Sequence, residues 1–113
     1  PGTIRAAIRG VSPVIRSNGK LVRDYFFVKD AADALIQLAE QAHRQELWGR
    51  AYNFSGNRPL TVLEICRKSL EAAGRPDLEI VVEDKAPDEI PEQWLDSARA
   101  RAELGWAPRD GLE

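Results

Sequence analysis

Apolar and polar positions along this chain switch between a helical and an extended period, and each switch predicts an element. From Thr3 to Arg9, TIRAAIR sets Ile4, Ala7 and Ile8 on one helical face and Arg5 and Arg9 on another, with Gly10 as the stop. Pro13 to Asp30, PVIRSNGKLVRDYFFVKD, predicts a β-hairpin leading into a helix. Val14 and Ile15 are β-branched, Ser17-Asn18-Gly19 tolerates positive φ, and Leu21 to Val28 returns as an apolar, aromatic run. Asp30 then suits an N-cap, and Ala31, Leu35, Leu38, Ala39 and Ala42 recur at helical spacing to about His43.

Further on, Ala51 to Phe54 predicts a short strand ending at Ser55-Gly56-Asn57. Thr61 and Glu64 form a capping box ahead of Val62, Cys66, Leu70 and Ala73, and Gly74 closes that helix. Leu78 to Val82 predicts a strand, whereas Glu83 to Glu92, with two prolines and mostly charged side chains, predicts a loop. Asp96 can cap a last helix holding Ala98, Ala102 and Leu104, ended by Gly105 before Trp106 and Pro108. Gly111-Leu112-Glu113 looks like the entry to another helix.

Composition narrows the class. A chain of 113 residues with 43% hydrophobic and 30% charged residues predicts one folded domain and excludes a disordered tail. No apolar run approaches the roughly 20 residues a bilayer requires. With 16 basic and 18 acidic residues interspersed, the net charge of −2 gives no electrostatic reason for nonspecific nucleic-acid binding. Cys66 stands alone, so no internal disulfide forms, and with only His43 beside it there is no set of soft metal ligands; a cytoplasmic compartment fits. Pro1 to Gly10 has no long apolar core and does not read as a signal peptide, so the chain reads as beginning within a longer protein.

Taken together, PGTIRAAIRG, PVIRSNGKLVRDYFFVKDAADALIQLAE, AYNFSGNRPLTVLEI and EIPEQWLDSARARAELGW resemble the substrate-binding end of the extended short-chain dehydrogenases, the NAD-dependent sugar-nucleotide epimerases and dehydratases. The resemblance covers essentially all the chain, and PGTIR, VIRSNGKLVRDYFFV and EIPEQWLD look most like the CDP-glucose 4,6-dehydratases. It implies an α/β fold: a small C-terminal domain, residues 1–113, of short strands with a hairpin and three to four helices, lacking the Rossmann domain that binds NAD and carries the family's catalytic Tyr-Lys pair. A dinucleotide fingerprint needs closely spaced glycines between a strand and a helix, and this sequence has no such loop. No cofactor is expected on this chain, then, and NAD belongs to the complete family enzyme.

Tyr25 and Lys29 do have Tyr-x-x-x-Lys spacing. On a helix they would lie about 6 Å apart, but in a strand roughly 13 Å, and Phe26, Phe27 and Val28 favour a strand, so no catalytic role is assigned. Arg23 is the principal candidate: it matches the family's RDY motif at Arg23-Asp24-Tyr25, whose arginine reaches the substrate diphosphate, and a guanidinium offers paired donors to phosphate oxygens. The alternative is an arginine that pairs with Asp24 or caps a neighbouring helix. The resemblance also runs Val14, Ile15 and Arg16 along the nucleoside, where an ordinary strand is the other reading. Many epimerases place a second arginine where this chain has Ala86, so Lys85 beside it is the substitute, or else a solvated loop lysine.

Trp48, Trp94 and Trp106 are expected to pack in a core or at a domain interface, His43 to sit at a helix C-terminus, and Cys66 to be buried, while Asp88, Glu89 and Glu92 are expected to be a solvated charged loop. The chain is therefore expected to hold a nucleotide-diphosphate sugar and not to catalyse alone, with no metal, nucleic acid or membrane as partner. The rival expectation is a free-standing, non-catalytic ligand-binding or oligomerising module. Without a neighbouring domain, Tyr25, Phe26, Phe27 and Trp94 predict self-association.

Overall fold

The structure, a computed structural model, describes residues 1–86 and 88–109, so Gly111-Leu112-Glu113 lies outside the described residues. In chain order the elements are α1 (Gly2–Arg9), β1 (Val14–Ile15), β2 (Val22–Asp24), α2 (Val28–Glu40), a 3-10 turn (Gln45–Leu47), β3 (Pro59–Thr61), α3 (Val62–Ala72), β4 (Val81–Val82), β5 (Glu92–Gln93) and α4 (Ala98–Leu104). The α/β class and its four helices are as expected. The chain divides into two compact units, Pro1–Arg23 with Leu60–Gln93, and Asp24–Pro59 with Trp94–Glu113.

In the first unit, β1 pairs in parallel with β4, Val14 opposite Val81 and Ile15 opposite Val82. A second sheet has the order β3-β2-β5, with β2 and β5 parallel and Arg23 opposite Gln93. The predicted hairpin is thus incorrect, because β1 and β2 belong to different sheets. The Asn-Gly signal is satisfied locally instead: Asn18 Oδ1 accepts from Lys20 N at 2.9 Å, Ser17 Oγ accepts from Gly19 N at 3.4 Å, and Gly19 takes φ 77°. That turn leaves the β1 edge open to β4, and the carbonyls of Gly19 and Leu21 open to Leu63 N and Val62 N.

Helix α1 ends at Gly10, whose φ of 67° is the left-handed cap the sequence predicts. Its buried residues are Ala6 and Ala7, and the Thr3 hydroxyl lies 3.4 Å from Cys66 Sγ on α3. Ile4 and Ile8, predicted to share the buried face with Ala7, are exposed, because the small Ala6 and Ala7 make the close approach. The capping box of α3 forms as read: Glu64 N donates to Thr61 Oγ1 at 3.1 Å and Thr61 N donates to the Glu64 carboxylate at 2.7 Å. Cys66 and Leu70 form its buried stripe. The strand predicted over Leu78–Val82 is confined to Val81–Val82, where a partner strand is available.

In the second unit the core gathers Ala34, Leu47, Ala100, Leu104 and Trp106, with Phe26, Leu38, Tyr52 and Phe54 packed on it. Trp106 is 1% exposed and meets the rings of Phe26 and Phe54 edge to face at 6.3 and 5.0 Å. Trp48 and Trp94 are exposed, so of the three tryptophans Trp106 is the one that fills the core. The predicted β2 run to Val28 stops at Asp24, and α2 begins at Val28 because Phe27 O accepts from Asp30 N and Ala31 N. Asp30 is therefore in the first turn of the helix and does not cap it; its buried carboxylate accepts Arg109 N at 2.9 Å. Helix α2 ends at Glu40, short of His43, and the core selects Ala34, leaving Leu35 exposed. His43 Nδ1 lies 3.0 Å from Glu40 O, at the C-terminal end as expected.

No strand forms over Ala51–Phe54. That segment is extended coil whose Tyr52 and Phe54 side chains anchor it in the core. Ser97 is the N-cap of α4, and Asp96 caps from one residue earlier by accepting Ala98 N at 2.8 Å. Ala100 and Leu104 form the buried stripe of α4, whereas Ala98 and Ala102 face outward.

Replacing Thr61 by Ala removes the acceptor for Glu64 N and is expected to lower stability by about 1 kcal/mol, read from a denaturant midpoint shift. The Glu64 carboxyl is held below its ordinary 4.5 by the Thr61 amide, then by the Thr61 hydroxyl. A carboxyl with its folded-state pKa lowered stabilises above its unfolded value and loses that contribution as pH falls through the lowered one. The stability gap between the wild type and Glu64→Gln is therefore expected to be present at neutral pH and to close on acidification below 4.5, as measured by thermal melts across pH.

Candidate functional site

All five candidate residues, Val14, Ile15, Arg16, Arg23 and Lys85, lie in the first unit. Three backbone hydrogen bonds fasten β1 and its extension to the second half of that unit: Val81 N donates to Pro13 O at 3.0 Å, Glu83 N to Ile15 O at 2.8 Å, and Lys85 N to Arg16 O at 2.6 Å. Asp84 takes φ 53°, and this left-handed residue turns the chain so that Lys85 meets Arg16. The fold thus brings Arg16 and Lys85 together, two residues the sequence offered separately. Ile15 is buried and serves the core, whereas Val14 is 55% exposed and presents its side chain outward. Lys85 Nζ lies 3.6 Å from Glu83, and the side chain is 73% exposed.

Arg23 stands on β2, in the other sheet. Its Nη1 donates to Val22 O at 2.8 Å, which fixes the plane of the guanidinium. Its Nη2 lies 3.6 Å from Glu89 Oε2, the arginine side chain being 23% exposed and the glutamate 50%. The sequence offered Asp24 as the structural partner. That carboxylate is instead bound to the backbone amides of Asn57 at 3.0 Å and Arg58 at 3.4 Å. Glu89 is accordingly the residue that sequence reasoning missed: nothing in the spacing of a strand arginine and a loop glutamate signals that they meet.

Asp24 closes a polar network in the second unit. Asn57, at φ 52°, donates through Nδ2 to Ser97 Oγ at 2.9 Å, and Ser97 also accepts from Arg101 Nη1 at 2.8 Å. Gly56 fits beneath Asp24 because a Cβ there would lie 2.9 Å from Asp24 Oδ1 and 3.0 Å from Tyr25 O. The RDY and SGN segments therefore depend on one another. Tyr25 lies outside both β2 and α2, while Lys29 is within α2 with its Nζ 5.7 Å from the Phe27 ring, so the two do not share a helix.

Among the described residues no three His, Cys, Asp or Glu side chains are placed to hold a metal ion, and no helix is long and apolar enough to cross a membrane. A groove of ≈ 500 Å³ runs between α3 and the segment before β4, lined by Leu63, Leu70, Leu78 and Ile80 with Arg67 and Glu71. None of the five candidate residues lines it.

No family model matches the chain. It is 32% identical over 97 residues to UDP-glucose 4-epimerase 3 of Oryza sativa subsp. japonica, a match taking in 85% of this chain and 26% of that protein. It is 29% identical over 125 residues to dTDP-glucose 4,6-dehydratase of Neisseria gonorrhoeae, covering 100% of this chain and 35% of that protein. The UDP-glucuronic acid 4-epimerase of Bacillus cereus, solved in complex with UDP-glucuronic acid and NAD, superposes with a TM-score of 0.83 at 19% identity over 98% of this chain and 34% of that one. The chain thus spans between 26% and 35% of the length of these proteins. Its relatives in sequence and its neighbours in structure are nucleotide-sugar epimerases and dehydratases of the extended short-chain dehydrogenase type, and its α/β fold is that of their C-terminal part.

Proposed function

We propose that this chain is the substrate-binding part of an NAD-dependent nucleotide-sugar dehydratase or epimerase, holding the nucleoside diphosphate while the chemistry takes place on residues it does not carry. The observation that carries the reading is Arg23, an oriented, partly exposed guanidinium on β2 with an exposed carboxylate beside it. A guanidinium stays charged when partly shielded and can grip two phosphate oxygens at once. Arg16 and Lys85, brought together at the end of the β1–β4 pair, add positive charge in the same unit, and the exposed side of Val14 offers an apolar surface to the nucleoside. Fixing the nucleotide in this way leaves the hexose as the part to be presented to the reacting groups.

NAD, the family's hydride carrier, does not fit the residues present. Among the described residues Gly10, Gly74 and Gly105 close helix C-termini and Gly19 forms a turn, so no glycine-rich strand-to-helix turn awaits a pyrophosphate. On this proposal the isolated chain is inactive and NAD belongs to the complete family enzyme. PGTIR, VIRSNGKLVRDYFFV and EIPEQWLD favour a CDP-glucose 4,6-dehydratase-like enzyme within the family, and the lone Cys66 suits the cytoplasm.

A second reading, an oligomerising module without catalysis, is favoured by apolar side chains at the surface. Ile8 of α1 is 80% exposed and Leu35 of α2 is 64% exposed; Tyr25, Phe27 and Trp94 are also exposed, whereas Phe26 is packed against Trp106.

Calorimetric titration with CDP, UDP, GDP and dTDP is expected to detect one preferred nucleotide, bound at least about tenfold more weakly by Arg23→Ala and less tightly as salt rises. Equal binding by the wild type and Arg23→Ala would remove the diphosphate role. Sedimentation of the purified chain is expected to show a dimer or larger species at micromolar concentration, and a monomer throughout would count against the oligomerising reading.

A further inference from the structure

We propose that Glu89 is a built-in competitor of the ligand's diphosphate, an internal carboxylate that occupies the anion position beside Arg23 until a nucleotide displaces it. The inference rests on the diphosphate reading of Arg23 and goes beyond it by assigning the site a restraint on affinity.

The loop that carries Glu89 is tied at both ends. At one end Lys85 N donates to Arg16 O, and at the other Val22 N donates to Pro91 O at 2.8 Å, just before β5 pairs with β2 in parallel. Glu89 lies between those two ties and within reach of Arg23. The guanidinium plane is set by the bond from Nη1 to Val22 O, and Nη2 faces Glu89 Oε2 at 3.6 Å. That separation is beyond the roughly 2.7–3.2 Å of an N–H···O hydrogen bond, so the attraction is coulombic and leaves the donor available for a closer acceptor. A diphosphate oxygen carries the same charge sign and can approach to hydrogen-bonding distance, and it can accept from more than one N–H of the fork. Two anions cannot share one guanidinium edge without repelling each other, so the nucleotide binds as Glu89 leaves. The glutamate side chain is 50% exposed, so rotating it into water is enough, and the backbone ties stay in place.

Partly exposed ion pairs are weak, which sets the size of the effect. In low-salt calorimetry with CDP and UDP, Glu89→Gln is expected to bind about two- to fivefold more tightly than the wild type. The gain is expected to vanish when Glu89→Gln is combined with Arg23→Ala, and Asp88→Asn, which removes a neighbouring loop charge, is expected to produce a smaller change. Unchanged or weaker binding by Glu89→Gln would overturn the competitor role while leaving the diphosphate reading intact, provided Arg23→Ala still weakens binding. An equal gain in the Arg23→Ala background, or from Asp88→Asn, would also overturn it by reducing the effect to net charge. Failure of both the wild type and Glu89→Gln to bind any of CDP, UDP, GDP and dTDP would overturn both readings together.

Discussion

Strands of two and three residues do not hold themselves, and the candidate site depends on the parallel pairing that holds them. Val14 lies opposite Val81 and Arg23 opposite Gln93, so each strand of the early segment is fixed by one contributed much later in the chain. Parallel pairing requires a long crossover between partners, and here α3 lies within it. The consequence is functional. The later strands bracket residues 83–91, and the ends of that segment are held by Glu83 N to Ile15 O, Lys85 N to Arg16 O and Val22 N to Pro91 O.

This arrangement explains which features could be read from the chain. Helix limits that depend on local chemistry were legible: Gly10 and Gly105 take left-handed φ of 67° and 69°, and Thr61 and Glu64 close a capping box, all within a few residues of the signal. Strand partners were not. Two β-branched residues followed by Asn-Gly announce an extended segment and a turn, but the same turn serves a hairpin or a chain passing between sheets, and Gly19 adopts the second use. Asp30 shows the same limit on a helix. Its residue type suits a cap, yet a backbone amide from Arg109 takes the carboxylate and buries it. Likewise the sequence could not rank Trp106 above Trp48 and Trp94, since the deciding neighbours, Phe26 and Phe54, come from distant positions.

The polar residues follow a related rule. Asp24 sits in the motif beside Arg23, and sequence proximity makes it the obvious counterion. The fold uses it differently, to bind the amides of a turn in which Asn57 has φ 52° and Gly56 leaves no room for a Cβ. A carboxylate receiving backbone donors is a structural clamp, and as the next residue of β2 Asp24 points to the opposite face of the strand from Arg23. Arg23 is thereby left to an acid whose own position is set by a loop. The candidate arginine was legible because its residue type and motif carry the chemistry. Its partner was not, because only the parallel sheet brings them together.

From these pieces the physical character of the site follows. An arginine clamped by a buried, fully hydrogen-bonded carboxylate would resist exchange, since breaking such a pair leaves a charge without compensation. Arg23 has a looser partner at 3.6 Å, half in solvent, so exchanging that partner costs little. On the diphosphate reading proposed above, that is the compromise a nucleotide-positioning group requires. The guanidinium must be oriented before the ligand arrives, which the bond to Val22 O provides, yet it must not be saturated. In the competitor role proposed for Glu89, a weak internal anion also limits how tightly the diphosphate is held. On that proposed reading, moderated ground-state affinity leaves binding energy for the reacting end of the substrate, where it can favour the transition state.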